Sequence, residues 1–214
     1  MWAKLNDAED TIEELIQHPK TMVISGTTYP RQIFKWTTAE LKAVGIVPVT
    51  TTGSHLDTNY YIEVDESYAV HSSKNSVVRT IGVKAADRKL TDTNEVDEDG
   101  DPLLDDDGVQ VVTLGLKSNA KNKATTQANG LLQGFDWLIQ RKVTADTAIP
   151  SAITTYMSSI RTDHSNICTA IDGASDMTAF IALHNDTYNE DGSVDVVARV
   201  NRWTADTNVK AYRR

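Results

Sequence analysis

The acidic residues are the first candidates for chemistry. Glu95, Asp97, Glu98, Asp99, Asp101, Asp105, Asp106 and Asp107 lie within thirteen positions, with no Lys or Arg among them. Clustered carboxylates suit a hard cation such as calcium, and Asp97, Asp99 and Asp101 have the alternate spacing of the first ligands in a calcium loop. The EF-hand pattern stops there, because Pro102 stands where that loop needs Gly and Gly108 stands at its twelfth position. The stretch also reads as two similar phrases, each ending in an acid followed by Gly. That pattern predicts a hairpin or loop with Asp-Gly turns, kept soluble by its charge.

Other reactive residues are scattered. His18, His55, His71, His164 and His184 include no pair at the i, i+4 spacing of a helical metal site. Asp163-His164-Ser165 resembles a catalytic triad in letters only, since neighbours on a helix point about 100° apart. His164 reads as a packed, hydrogen-bonded histidine. The single cysteine, Cys168, lies beside Ile167 and Ile171 and reads as a small buried hydrophobe. The sequence has no phosphate-binding glycine loop and no nucleophile elbow. Distant acids could still meet as a glycosidase pair, but nothing singles one out. No residue is assigned a catalytic role, no cofactor is expected, and Asp97, Asp99 and Asp101 are the sole metal candidates.

Composition sets the background. The chain has 214 residues, 40% apolar and 24% charged, as in an ordinary soluble protein. No apolar run reaches the 18 or so residues of a membrane helix, and no secretory signal is visible at the start. The net charge is −9, and without the eight clustered acids it becomes −1. Nucleic-acid binding calls for a basic face, and only the tail with Arg199, Arg202, Lys210, Arg213 and Arg214 approaches one. That tail reads as a solvated terminal strand.

The expected fold class is α+β. Four segments are expected: a small β unit with a short helix at 1–58, a β meander with the acidic loop at 59–115, an antiparallel helical hairpin or bundle at 116–184, and C-terminal strands at 185–214. Residues 21–30 read as a hairpin turning at Ser25-Gly26, and 10–16 as a strand or irregular segment pairing with it. Thr37 and Glu40 form a capping box for a short helix over 37–44, closed by Gly45. Helices are expected over 116–132, over 137–143 capped by Asp136, over 151–171, and up to Leu183 capped by Asp176. Ile153, Tyr156, Ile160, His164, Ile167 and Ile171 mark one face of the third of these. Asn189-Glu190-Asp191-Gly192 signals a turn.

Two phrases carry a resemblance to a known group. Tyr29-Pro30 leads through Ile33-Phe34 and Trp36 to Glu40-Leu41 and Gly45-Ile46. Leu131-Leu132 leads to Asp136-Trp137, then to Ile149-Pro150, Tyr156 and Arg161. Together with the start Met1-Trp2-Ala3-Lys4, they resemble small structural proteins of the tail or fibre of tailed phages from marine and cyanobacterial hosts. The second phrase is also similar to the helical segment of tail fibre assembly proteins. The resemblance implies two antiparallel helices, with Trp137 packed between them and Arg161 near Asp136 or a helix end.

It further implies a non-enzymatic virion component, associated with the tail fibre or with a baseplate or adaptor, made in the host cytoplasm and located in the tail. The expected partners are other phage tail and fibre proteins and further copies of the chain in a homo-oligomer, with no nucleic acid and no membrane. Trp2, Trp36, Trp137, Tyr156, Arg161 and Trp203 are the interface candidates, although a local core role competes for each Trp. The alternatives are a tail fibre assembly chaperone absent from the finished particle, a tail-associated cell-wall hydrolase, and recognition of a host receptor or glycan.

Overall fold

β-branched and aromatic residues alternate with polar ones through the first third of the chain, and there they form strands. In the computed structural model, which describes residues 1–213, these strands belong to the unit Met1–Asp87. A second unit comprises Arg88–Arg214. The chain is α+β, with strands dominating the first half and helices the second.

The first unit contains β1 (Trp2–Leu5), β2 (Ile12–Ile16), β3 (Met22–Ile24), β4 (Thr27–Tyr29), α1 (Thr38–Ala43), β5 (Ile46–Thr52), β6 (Tyr61–Glu63), β7 (Ser67–Val70), β8 (Val77–Thr80) and β9 (Lys84–Asp87). A five-stranded mixed sheet runs β2-β1-β5-β8-β7, in which only β5 and β8 are parallel. Strand alternation divides its side chains between two cores. Ile16 and Ile46 pack with Met22, Ile24, Ile33, Phe34 and Leu41 on one face. Ala3, Leu5, Val47 and Val77 pack on the other.

β3 and β4 form the expected hairpin, turning at Ser25-Gly26 with both residues at positive φ. The capping box is present: the Thr37 hydroxyl accepts the Glu40 N–H, and the Glu40 carboxylate accepts the Thr37 N–H. Gly45 follows α1 at φ +76°. Three expectations need correction. β2 pairs with β1, not with the hairpin. β6 leaves the meander to pair with β9. The boundary expected at 58/59 falls inside one unit, because β5 and β8 pair across it.

The second unit begins with β10 (Thr93–Asn94) and β11 (Val112–Thr113), followed by α2 (Leu116–Gln133), α3 (Asp136–Ala145), α4 (Ser151–Gly173), α5 (Met177–Ala182), β12 (Thr187–Tyr188) and β13 (Val194–Val196). The expected boundary at 115/116 also lies within one unit. The backbone N–H groups of Leu116 and Lys117 donate to the carbonyls of Lys89 and Leu90, both at 3.0 Å.

α4 organises this unit. Ile153, Tyr156, Ile160, Ile167 and Ile171 recur at three- and four-residue steps, with one longer step at half-buried His164, and all five are buried. α2 runs antiparallel along it. Lys121 near the start of α2 pairs with Asp172 near the end of α4 at 2.8 Å, and Thr125 meets His164 one turn further on. Ala128, Phe135, Leu138, Met157 and Val209 close the core around Tyr156 and Ile160. Asp176 caps α5 by accepting the Ala179 N–H at 2.8 Å. Asp136 does not cap α3. It occupies the first helical position, and Phe135 precedes it as the cap.

The basic tail is not a solvated strand. It forms two short 3-10 turns, at Arg199–Asn201 and Lys210–Tyr212, and returns to the helices. Val209 is buried among them. The Arg213 guanidinium donates to the Leu131 carbonyl at 3.0 Å, an acceptor in the last turn of α2, and lies 3.4 Å from Asp206. A cation suits that carbonyl end of a helix. The Trp137 indole N–H donates to the Tyr212 carbonyl at 3.0 Å.

Phe135 is fully buried, with its ring 5.6 Å from that of Tyr156. Replacing it with Ala leaves a ring-sized cavity, so F135A is expected to lower the unfolding free energy by about 3–5 kcal/mol. Urea titration followed by helical circular dichroism measures this. A loss below about 1 kcal/mol would show that the core collapses to fill the space.

Candidate functional site

The clustered acids occupy two turns of identical construction. Asp97 donates its N–H to the Asp101 carbonyl at 2.9 Å and accepts the Gly100 N–H at 3.1 Å. Asp105 does the same with Val109 at 2.8 Å and Gly108 at 3.0 Å. The Asp97 carboxylate also accepts the N–H groups of Asp99 and Asp101, at 3.0 and 2.9 Å. The Asp105 carboxylate accepts those of Asp107 and Val109, at 3.0 and 2.8 Å. Gly100 and Gly108 sit at φ +87° and +77°, a region that suits a residue without Cβ. These are the Asp-Gly turns that the sequence predicts.

The turns close two short arms, bridged at Val96–Pro102 and Leu104–Gln110. The third arm is the β10–β11 pair, with Asn94 opposite Val112. A ring of backbone hydrogen bonds joins the three. Glu95 N–H donates to the Val111 carbonyl at 2.9 Å, Val111 N–H to the Leu103 carbonyl at 2.8 Å, and Leu103 N–H to the Glu95 carbonyl at 3.0 Å. The three residues are spaced eight apart, so each holds the same place in the junction. The Gln110 side-chain amide lies over the centre. Its nitrogen donates to the carbonyls of Glu95, Leu103 and Val111 at 2.7, 3.0 and 3.0 Å, with two hydrogens shared among three acceptors.

Side chains alternate between the two faces of such arms. Cross-strand pairing and two-residue steps put Asn94, Val96, Pro102, Leu104, Gln110 and Val112 on one face. Val96 is 56% exposed, Leu104 53% and Val112 41%. The face is thus apolar and open around the central amide, with carboxylates at the two turn tips. The third arm is tied to α2. The Asp92 carboxylate accepts the Gly115 N–H at 2.8 Å and the Ser118 hydroxyl at 2.9 Å, which satisfies donors at the helix start. These bonds hold its carboxyl below the ordinary value, the Gly115 N–H most of all. Gly115 permits the approach: a Cβ there would lie 2.4 Å from the Thr91 backbone.

The remaining chemistry-bearing residues are dispersed. Asp97, Asp99 and Asp101 do not assemble as metal ligands, since the Asp97 carboxylate is occupied with its own turn. Among the described residues no group of three His, Cys, Asp or Glu could hold an ion. Asp163 accepts the Thr204 N–H and hydroxyl at 2.7 and 2.6 Å, whereas His164 meets the Thr125 hydroxyl at 3.0 Å. The triad letters therefore serve different partners. Cys168 lies 3.5 Å from His164 Nε2, and burial pushes its thiol up rather than towards a reactive thiolate.

Of the interface candidates, Tyr156 is buried and belongs to the helical core. Trp137 and Trp203 pack against the same core, and Trp2 packs against Phe34 with ring centroids 4.9 Å apart. Trp36 remains 42% exposed, edge-on to Tyr29. Arg161 is exposed and does not pair with Asp136; it makes no ion pair among the described residues. Sequence reasoning missed Gln110, Asp92 and Gly115. The eight-residue recurrence of Glu95, Leu103 and Val111 was the available signal for the first.

Comparison with family models, curated proteins and solved structures gives no match to this chain.

Two expectations follow. Q110L removes the amide from the centre of the junction. With each such bond contributing about 1 kcal/mol, amide exchange at Glu95, Leu103 and Val111 is expected to accelerate about tenfold or more while α4 amides keep their rates. Unchanged exchange at the three sites would rule out a central role for the amide. Because the Asp92 carboxyl is lowered in the folded chain, its stabilisation is complete above its ordinary value of 3.8 and disappears as pH falls through the lower folded value. D92N should therefore lower Tm near neutral pH and lose less further stability than the parent on acidification. Parallel Tm–pH curves for the two proteins would contradict this.

Proposed function

We propose that this protein is a non-enzymatic structural component of a phage virion, acting by protein–protein docking in a symmetric tail assembly. The reading places it with the tail fibre or a baseplate or adaptor, made in the host cytoplasm and working as a homo-oligomer beside other tail proteins. The observation that carries the docking role is the open apolar face of the three-way junction. A small element with no core beneath that face keeps Val96, Leu104 and Val112 exposed while its backbone is fixed by a closed hydrogen-bond ring. Rigid apolar side chains held out from a folded unit suit a docking contact, whose ordering cost has already been met. The phage assignment rests on the two phrases running from Tyr29 to Ile46 and from Leu131 to Arg161. Trp36 is a further exposed aromatic within the first of these.

Mass spectrometry of purified particles tests the assignment, with copy number set against the major capsid and tail proteins. The expected result is presence in a small multiple of three or six, as cyclic tail symmetry requires. Absence from particles, with abundance in infected-cell lysate, would overturn it in favour of the assembly chaperone.

A further inference from the structure

We infer that the open face of the junction binds a protein surface with an aliphatic centre and a Lys/Arg rim. This deepens the docking role proposed above and does not depend on the phage assignment. The apolar centre is Val96, Pro102, Leu104 and Val112, placed on one side by the register of the three arms. Its rim is negative and uncompensated. The two turn tips carry Asp97, Glu98, Asp99, Asp101, Asp105, Asp106 and Asp107, and no Lys or Arg occurs between Leu90 and Leu116. None of these seven carboxylates forms an ion pair among the described residues.

Charge complementarity selects the occupant. Juxtaposing two copies of the same acidic rim is repulsive, which disfavours a second junction as the partner, while a basic rim is attracted and steered. The apolar centre separates this surface from an acidic loop kept only for solubility, since solubility does not call for four apolar side chains on the exposed side. The turn carboxylates Asp97 and Asp105 are engaged with backbone N–H groups, which leaves the carboxylates of Glu98, Asp99, Asp101, Asp106 and Asp107 without a bond to the turns.

The test uses the full chain and three synthetic helical peptides: Lys and Leu on opposite faces, the same design with Ser for Leu, and the same design with Glu for Lys. Fluorescence anisotropy reads binding. The Lys/Leu peptide is expected to bind, with affinity falling as salt rises, and the other two are expected to bind at least about tenfold more weakly. V96S/L104S/V112S should weaken Lys/Leu binding about tenfold. E98Q/D99N/D106N/D107N, which leaves both turn carboxylates in place, should weaken it and flatten its salt dependence. Slow amide exchange at Glu95, Leu103 and Val111 confirms that each variant keeps the junction, and where the triple variant lost it, L104S alone would be measured. Three outcomes would overturn the inference: no binding by the parent, equal binding of the Lys/Ser peptide, or undiminished binding by the Ser variant. Self-association of the parent that the Ser variant abolishes would give the face to a second copy and overturn it too.

Discussion

Covering the apolar stripe of α4 is the constraint from which the second unit follows. Six buried side chains on a 23-residue helix need a partner along most of its length, and α2 supplies it. α2 is a weak helix by composition, with Asn119, Asn122, Thr125, Thr126 and Gly130 inside it. Its order therefore depends on what holds it at each end. Lys121–Asp172 and the Asp92 bonds to Gly115 and Ser118 hold the start. The Arg213 contact with the Leu131 carbonyl holds the end. The same Asp92 clamp that starts the helix fixes the stem of the acidic junction, so the orientation of that junction on its unit is a by-product of covering α4.

Local chemistry was legible in the sequence wherever one turn decides the outcome. The Thr37–Glu40 capping box, the Ser25-Gly26 hairpin, the Asp-Gly turns and the Asp176 cap need only residues within a few positions of one another. The face of α4 was legible because its period is regular, and even the half-buried His164 lies on it. Most of the misses involve distant partners. The parallel pairing of β5 with β8 joins Val49–Thr52 to Val77–Thr80, and nothing in either strand's own residues names the other. The start of α2 is satisfied by Asp92, 23 residues before Gly115, whereas the Asp136 cap fails locally, because Phe135 takes the cap position of α3. The tail carries five basic residues and few apolar ones, so its docking through Val209 and Arg213 left no periodic trace.

The acidic stretch shows how one sequence feature can hide another. Eight carboxylates invite a metal reading, yet two of them are spent on closing turns. The charge does not explain the fold of the stretch. That comes from a recurrence of eight residues, which returns Glu95, Leu103 and Val111 to one point and closes a ring of three hydrogen bonds. A lone two-stranded arm of this size is marginal in water. Joining three at a shared ring satisfies the central N–H and C=O groups together, and Gln110 adds a donor where three carbonyls converge.

That construction has a consequence for its surface. A hairpin normally rests one face on a core, and alternation then sends its aliphatic side chains inward. Here the backbone is held by the ring and the Gln110 amide, so the aliphatic face is not needed to stabilise the arms and stays in solvent. Leaving Val96, Leu104 and Val112 there has an aggregation cost that a neutral loop would not survive. The carboxylates at the turn tips offset it by repelling further copies of the same face. The charge and the apolar face are therefore linked: the acids keep an open hydrophobic contact soluble, and they do so most effectively against copies of this chain and least against a basic partner.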